Sequence, residues 1–145
     1  MSAYTNFILM TKNCFYFQIE DVEMSMTRLT VYQGIYIFSS MSEKTRTKKM
    51  NISNNDLSLV PSDYISKGLN KLVEIDVCGT KLIDIQMTGI FIQMLEASNI
   101  QKLAVDGNVE TGYQEFLKSL KDKVNVIVTF DKSQKTTTLH LFKKF

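Results

Sequence analysis

Five carboxylates recur in one kind of setting along this chain of 145 residues. Asp21, Glu23, Glu74, Asp76 and Asp106 each adjoin an apolar residue, in runs such as Asp-Val-Glu and Glu-Ile-Asp, where polar and apolar side chains alternate. A period of two places the acids on one face of a short strand and the apolar residues on the other. Lys49 and Lys102 take equivalent places. The full solvent-facing set reads Asp21, Glu23 and Ser25; Lys49, Asn51 and Ser53; Glu74, Asp76 and Cys78; Lys102, Ala104 and Asp106. Its five acids and two lysines give a formal −3 inside a molecule of +2. Such a strip suits salt-sensitive association with a partner that offers a basic or polar patch. The expected binding residues are Asp21, Glu23, Asn51, Glu74, Asp76, Cys78 and Asp106.

Other reactive side chains are sparse. His140 is the single histidine, so any Ser-His-Asp triad would have to form around a terminal β run, and no nucleophile elbow lies near. It reads as a surface strand histidine. Cys14 and Cys78 lie 64 residues apart and read as two free thiols of a reducing cytosol. Cys78 follows the apolar pair Ile75 and Val77 with no basic neighbour, so it is expected to be a partly covered structural thiol. Asp106 to Glu110 lacks the ligand spacing of an EF-hand, and no glycine-rich phosphate loop is present. No catalytic residue, metal site or cofactor is expected, and the chain is not read as an enzyme. The basic run Lys44 to Lys49 has no interleaved aromatics and reads as a solvated connection, not a specific nucleic-acid site. The first residues carry no positive charge, and no stretch approaches the roughly 20 apolar residues of a membrane span. A cytoplasmic chain without a membrane partner is expected, with the oligomeric state open.

The strands that carry the strip belong to a repeat. A shift of 53 residues lays Ile19–Asn55 on Leu72–Asn108 without a gap, with nine identities in 37 positions. Thr27, Leu29 and Gln33 fall on Thr80, Leu82 and Gln86, and Ile37, Phe38 and Met41 on Ile90, Phe91 and Met94. Each 53-residue unit divides again. Val22-x-Met24-x-x-Thr27, Met50-x-Ile52-x-x-Asn55, Ile75-x-Val77-x-x-Thr80 and Leu103-x-Val105-x-x-Asn108 follow one template. The closing residues are 28, 25 and 28 positions apart. Thr27, Asn55, Thr80 and Asn108 are expected to form a ladder, their side chains turned inward to bond turn backbone that would otherwise be buried unpaired.

This wording resembles the leucine-rich repeat, whose signature is L-x-x-L-x-L-x-x-N/C-x-L, and Leu29, Leu57 and Leu82 fill its last position. The long, two-type repeat is similar to the ribonuclease-inhibitor-like subclass, which also forms the sensor arrays of NOD-like innate immune receptors. The resemblance covers roughly residues 19–120 and departs from the pattern where Ile, Val and Met replace leucine. It implies an α/β fold: a short leucine-rich-repeat solenoid, with parallel strands on the concave side, helices on the convex side and an atypical β-hairpin cap at the C-terminus. The domain reading is an atypical segment or weak cap over 1–18, repeats over 19–122 and a strand or hairpin cap over 123–145. The function implied is a non-enzymatic protein–protein interaction module, a sensor part of such a receptor. Two alternatives stay open: a regulatory repeat protein of the GTPase-activating or actin-regulator type, and a small α/β enzyme whose sheet would carry helices on both faces.

Between the strands the period becomes helical. Helices are expected over Val31–Ser42, burying Ile37, Phe38 and Met41, and over Asp84–Ser98, burying Ile85, Ile90, Met94 and Leu95. A third should start near Pro61 and close at Asn70 and Lys71; a fourth, Thr111–Lys121, should bury Tyr113, Phe116, Leu117 and Leu120. Val124 to Phe130 and Thr136 to Phe142 read as strands joined by a turn, with the threonines facing water.

Overall fold

The computed structural model describes residues 20–41, 46–96 and 99–144. In chain order it contains β1 (Asp21–Glu23), α1 (Val31–Met41), β2 (Lys49–Asn51), α2 (Ser62–Gly68) with a 3-10 turn over Leu69–Lys71, and β3 (Glu74–Asp76). Then come α3 (Asp84–Glu96), β4 (Lys102–Asp106), α4 (Val109–Gly112), α5 (Gln114–Lys123), β5 (Val124–Asp131) and β6 (Thr136–Lys143). One sheet holds all six strands in the order β1-β2-β3-β4-β6-β5. The first four pair in parallel and in sequence order, while β6 runs antiparallel to both β4 and β5. The chain is an α/β fold with a mostly parallel mixed sheet closed by a C-terminal antiparallel hairpin. The segment 1–18 lies outside the described residues.

The apolar alternation puts one face of this sheet into the core. Val22, Met50, Ile75 and Leu103 are buried, as are Met24, Ile52, Val77 and Val105 two residues on. Their strand neighbours Asp21, Glu23, Lys49, Lys102 and Asp106 are exposed on the other face. The backbone ladder continues past the three-residue strands: Met24 N donates to Asn51 O at 2.7 Å, Ile52 N to Asp76 O at 3.1 Å and Val77 N to Ala104 O at 2.9 Å. Helices α1, α2 and α3 pack side by side in sequence order, and α3 touches α5. Gly68 allows the first of these contacts. A Cβ there would lie 2.8 Å from Phe38 Cδ1 and 2.9 Å from its carbonyl oxygen, so α1 and α2 meet only because that atom is missing.

Helix α1 begins with a reciprocal cap: Thr30 N donates to Gln33 Oε1 at 2.8 Å and Gln33 N to Thr30 Oγ1 at 3.1 Å. Ile37, Phe38 and Met41 are fully buried, as their spacing predicts. The expected face of α3 is out of phase at its start. Ile85 is 64% exposed and the neighbouring Gln86 is buried instead. The fourth helix starts earlier than expected, at Val109, and breaks at Tyr113 (φ −137°, ψ 51°) before resuming. Leu117 and Leu120 are buried, whereas Tyr113 and Phe116 stay half-buried and close around Phe91, one edge-on at 4.8 Å and the other stacked at 4.0 Å. Both hairpin strands form as read. Their threonines do not all face water: Thr137 is fully buried opposite Val105.

Candidate partner-binding surface

The surface depends on turns that end each strand at the same place. Met26, Asn54, Gly79 and Gly107, the residues just before Thr27, Asn55, Thr80 and Asn108, all have positive φ, of 56°, 57°, 71° and 83°. The two threonine turns carry a second such residue, Arg28 at 54° and Lys81 at 58°. The 53-residue period is therefore written in the backbone as well as in residue types. Left-handed backbone costs a side-chain-bearing residue on the order of 1–2 kcal/mol, so each turn needs bracing.

Asn55 is the strongest brace. Its Oδ1 accepts from Thr27 N, Leu29 N and Thr27 Oγ1 at 3.1–3.3 Å, and its Nδ2 donates to Met24 O, Ile52 O and Ser53 O at 2.8–3.3 Å. One buried amide thus ties two successive turns. Thr27 and Thr80 are buried and donate to Met24 O at 2.9 Å and Val77 O at 2.6 Å. Asn108 departs from the ladder. It is half-buried, and its Oδ1 accepts from Glu110 N at 3.0 Å as a cap on α4. Thr137 does the inward work there: its Oγ1 donates to Gly107 O at 2.6 Å and accepts from Val109 N at 3.2 Å. Gln86 is a further brace, with Nε2 donating to Leu57 O at 2.8 Å and Val60 O at 2.6 Å and Oε1 accepting from Ile83 N. Its identity with Gln33 across the repeat was the signal available for it.

On the open face the parallel register gathers the expected residues into rows. One row runs Asp21, Lys49, Glu74, Lys102 and then His140, each the direct neighbour of the next. Its charges alternate, and Lys49 Nζ lies 3.9 Å from Glu74 Oε1 with both side chains exposed to water. A second row runs Glu23, Asn51, Asp76, Ala104 and Thr138. From Asp21 to Lys102 and from Glu23 to Ala104 the two rows floor a shallow depression of about 280 Å³.

The second row is tied to the turns. Glu23, Asn51 and Asp76 each accept the amide two residues on, from Ser25, Ser53 and Cys78 at 2.9–3.0 Å, and Asn51 Nδ2 also donates to Glu23 Oε2 at 3.0 Å. The Ser25 hydroxyl and amide hold the Glu23 carboxyl below its ordinary range. Ala104 has no such group, and Asp106 instead accepts Gly79 N with both oxygens at 2.9 Å. Gly79 takes this join at φ 71°, a left-handed backbone that glycine adopts without strain, and a Cβ there would also push aside the Asn54 side chain. Beyond the strand ends the expected exposure fails at Ser53, which is buried; Cys78 is half-buried, as a partly covered thiol would be. Burial, then the Asp76 and Asp106 carboxylates, push the Cys78 thiol up to about 12, so it stays protonated at neutral pH.

The face presents charged and amide groups in two rows, with the Ser25 hydroxyl bonded to Glu23 and the Cys78 thiol beside Asp76. Among the described residues no three His, Cys, Asp or Glu side chains converge as a metal site would need, and no helix is long and apolar enough to cross a membrane. Comparison with models of known protein families, with curated proteins and with solved structures finds no match for this chain.

Proposed function

We propose that this chain is a protein-interaction module of leucine-rich-repeat type, similar to the ribonuclease-inhibitor-like subclass, which receives a protein partner on the open face of its sheet. The observation that carries the reading is the recurrence of the turn backbone, with Met26 and Arg28 matched by Gly79 and Lys81, and Asn54 by Gly107. A stack of like units, strands along a concave side and helices along a convex one, accounts for that recurrence and for parallel strands in sequence order. Burial on one face alone favours the stack over a doubly wound enzyme sheet, which would cover Asp21, Glu23, Lys49 and Lys102 as well. Neither arginine of the chain, Arg28 or Arg46, belongs to the rows of the face, which leaves a GTPase-activating role without a finger residue. The same resemblance supports a cytoplasmic sensor array of the NOD-like receptor kind, with a partner that offers basic or polar groups.

Capture from cytosol on the immobilised chain tests this. Asp21 and Glu74 are the acids to reverse, because neither holds a turn. A protein retained at low salt and released at high salt should be lost by the chain carrying Asp21→Lys and Glu74→Lys. An identical captured set from parent and variant at both salts sinks the proposal.

A further inference from the structure

Among the described residues the last strand of the sheet, β5, is an open edge with little to discourage pairing. It is eight residues long, contains no proline, lysine or arginine, and keeps a constant register with β6 from Val124↔Lys143 to Asp131↔Thr136, so no bulge bends it away. Edge strands that must stay single are short, charged or bulged. The opposite edge, β1, fits that description: three residues, Asp-Val-Glu, with both acids exposed. On β5 the core-side residues Val124, Val126, Val128 and Phe130 remain half-exposed, and Ile127 on the other face is 56% exposed.

We infer that β5 pairs antiparallel with β5 of a second copy of this chain, about a two-fold axis through Ile127, to make a twelve-stranded sheet across two molecules. Antiparallel neighbours share a face, so a two-fold must place a residue opposite itself or opposite one an even number away. Centring on Ile127 sets Val124 against Phe130, Val126 against Val128 and Asn125 against Thr129 of the other copy, apolar on apolar and amide on hydroxyl throughout. Apolar matching within the strand selects this register: centring on Val128 would set Ile127 against Thr129 and Asn125 against Asp131 of the other copy. The pairing closes at two copies and is independent of what the open face binds.

Sedimentation of the whole chain from about 1 to about 200 µM should show a monomer–dimer equilibrium, a range that captures even a weak micromolar contact. Ile127→Lys sets two ammonium groups opposite each other and should raise the dissociation constant about tenfold or more, with the circular dichroism unchanged. Disulfide trapping reads the register in a Cys14→Ser, Cys78→Ser background. Ile127→Cys should oxidise to a covalent dimer, Thr129→Cys alone should not, and Thr129→Cys mixed with Asn125→Cys should. A monomer at the top concentration, higher oligomers in place of a dimer, a dimer indifferent to Ile127→Lys, or Thr129→Cys trapping as well as Ile127→Cys would each overturn the inference.

Discussion

The parallel part of the sheet and its terminal hairpin reach order by different means. Strands β1 to β3 are three residues long and have few backbone bonds of their own, so buried side chains complete their turns: Asn55 for two turns together, Thr80 for one, Gln86 for the loop between Leu57 and Val60. Strands β5 and β6 pair over eight positions and join through an exposed turn, where Asp131 accepts from Ser133 and Gln134. Short strands are side-chain braced; long ones are backbone braced. The two regimes meet at Thr137, a hairpin residue that bonds the turn after β4.

The sharpest way to break that contrast is to remove the brace. Asn55→Ala leaves several buried donors and acceptors unpaired, and urea denaturation should show a loss of about 3 kcal/mol. Asn108→Ala removes only a single helix-cap bond and should cost about 1 kcal/mol or less. Equal losses would mean that the four turn residues do one job and that the contrast is false. Thr137→Val keeps the shape and deletes the hydroxyl that bridges Gly107 and Val109; about 1–2 kcal/mol should be lost. An unchanged midpoint would show that the hairpin is merely appended. The smallest effect concerns Cys78. Its thiol is raised when folded, so the unfolded chain ionises first, and stability should be level below pH about 9.0 and fall as pH rises toward about 12. In a Cys14→Ser chain, alkylation at pH 8 should be slow when native and fast in denaturant, and Cys78→Ser should flatten the alkaline loss. Rapid native labelling would mean an open turn.

The strands were legible because alternation and a gapless repeat fix both face and spacing; Val22, Met50, Ile75 and Leu103 stand where the pattern puts them. Hidden positions are those where polarity misleads. Gln86 is buried in place of Ile85 because uncoiled loop carbonyls behind it need a donor, and nothing in the helix's own period announces them. Thr137 reads as a water-facing residue until β6 is known to lie beside β4, on the core side of Val105. The acidic strip was legible by composition but not by arrangement. Only the register shows that Asp21, Lys49, Glu74 and Lys102 alternate in sign while the acid excess sits in the rows beside them.

That alternation acts as a ruler. Neighbouring strands lie about 4.8 Å apart, so like charges recur along the row about every 9.6 Å. An extended peptide laid across the strands repeats its side chains about every 6.8 Å and falls out of step after one charge. A helix advances about 10.5 Å in seven residues and keeps nearly the same beat. A partner helix with opposite charges spaced by heptads could therefore meet Asp21 and Glu74, or Lys49 and Lys102, without bending.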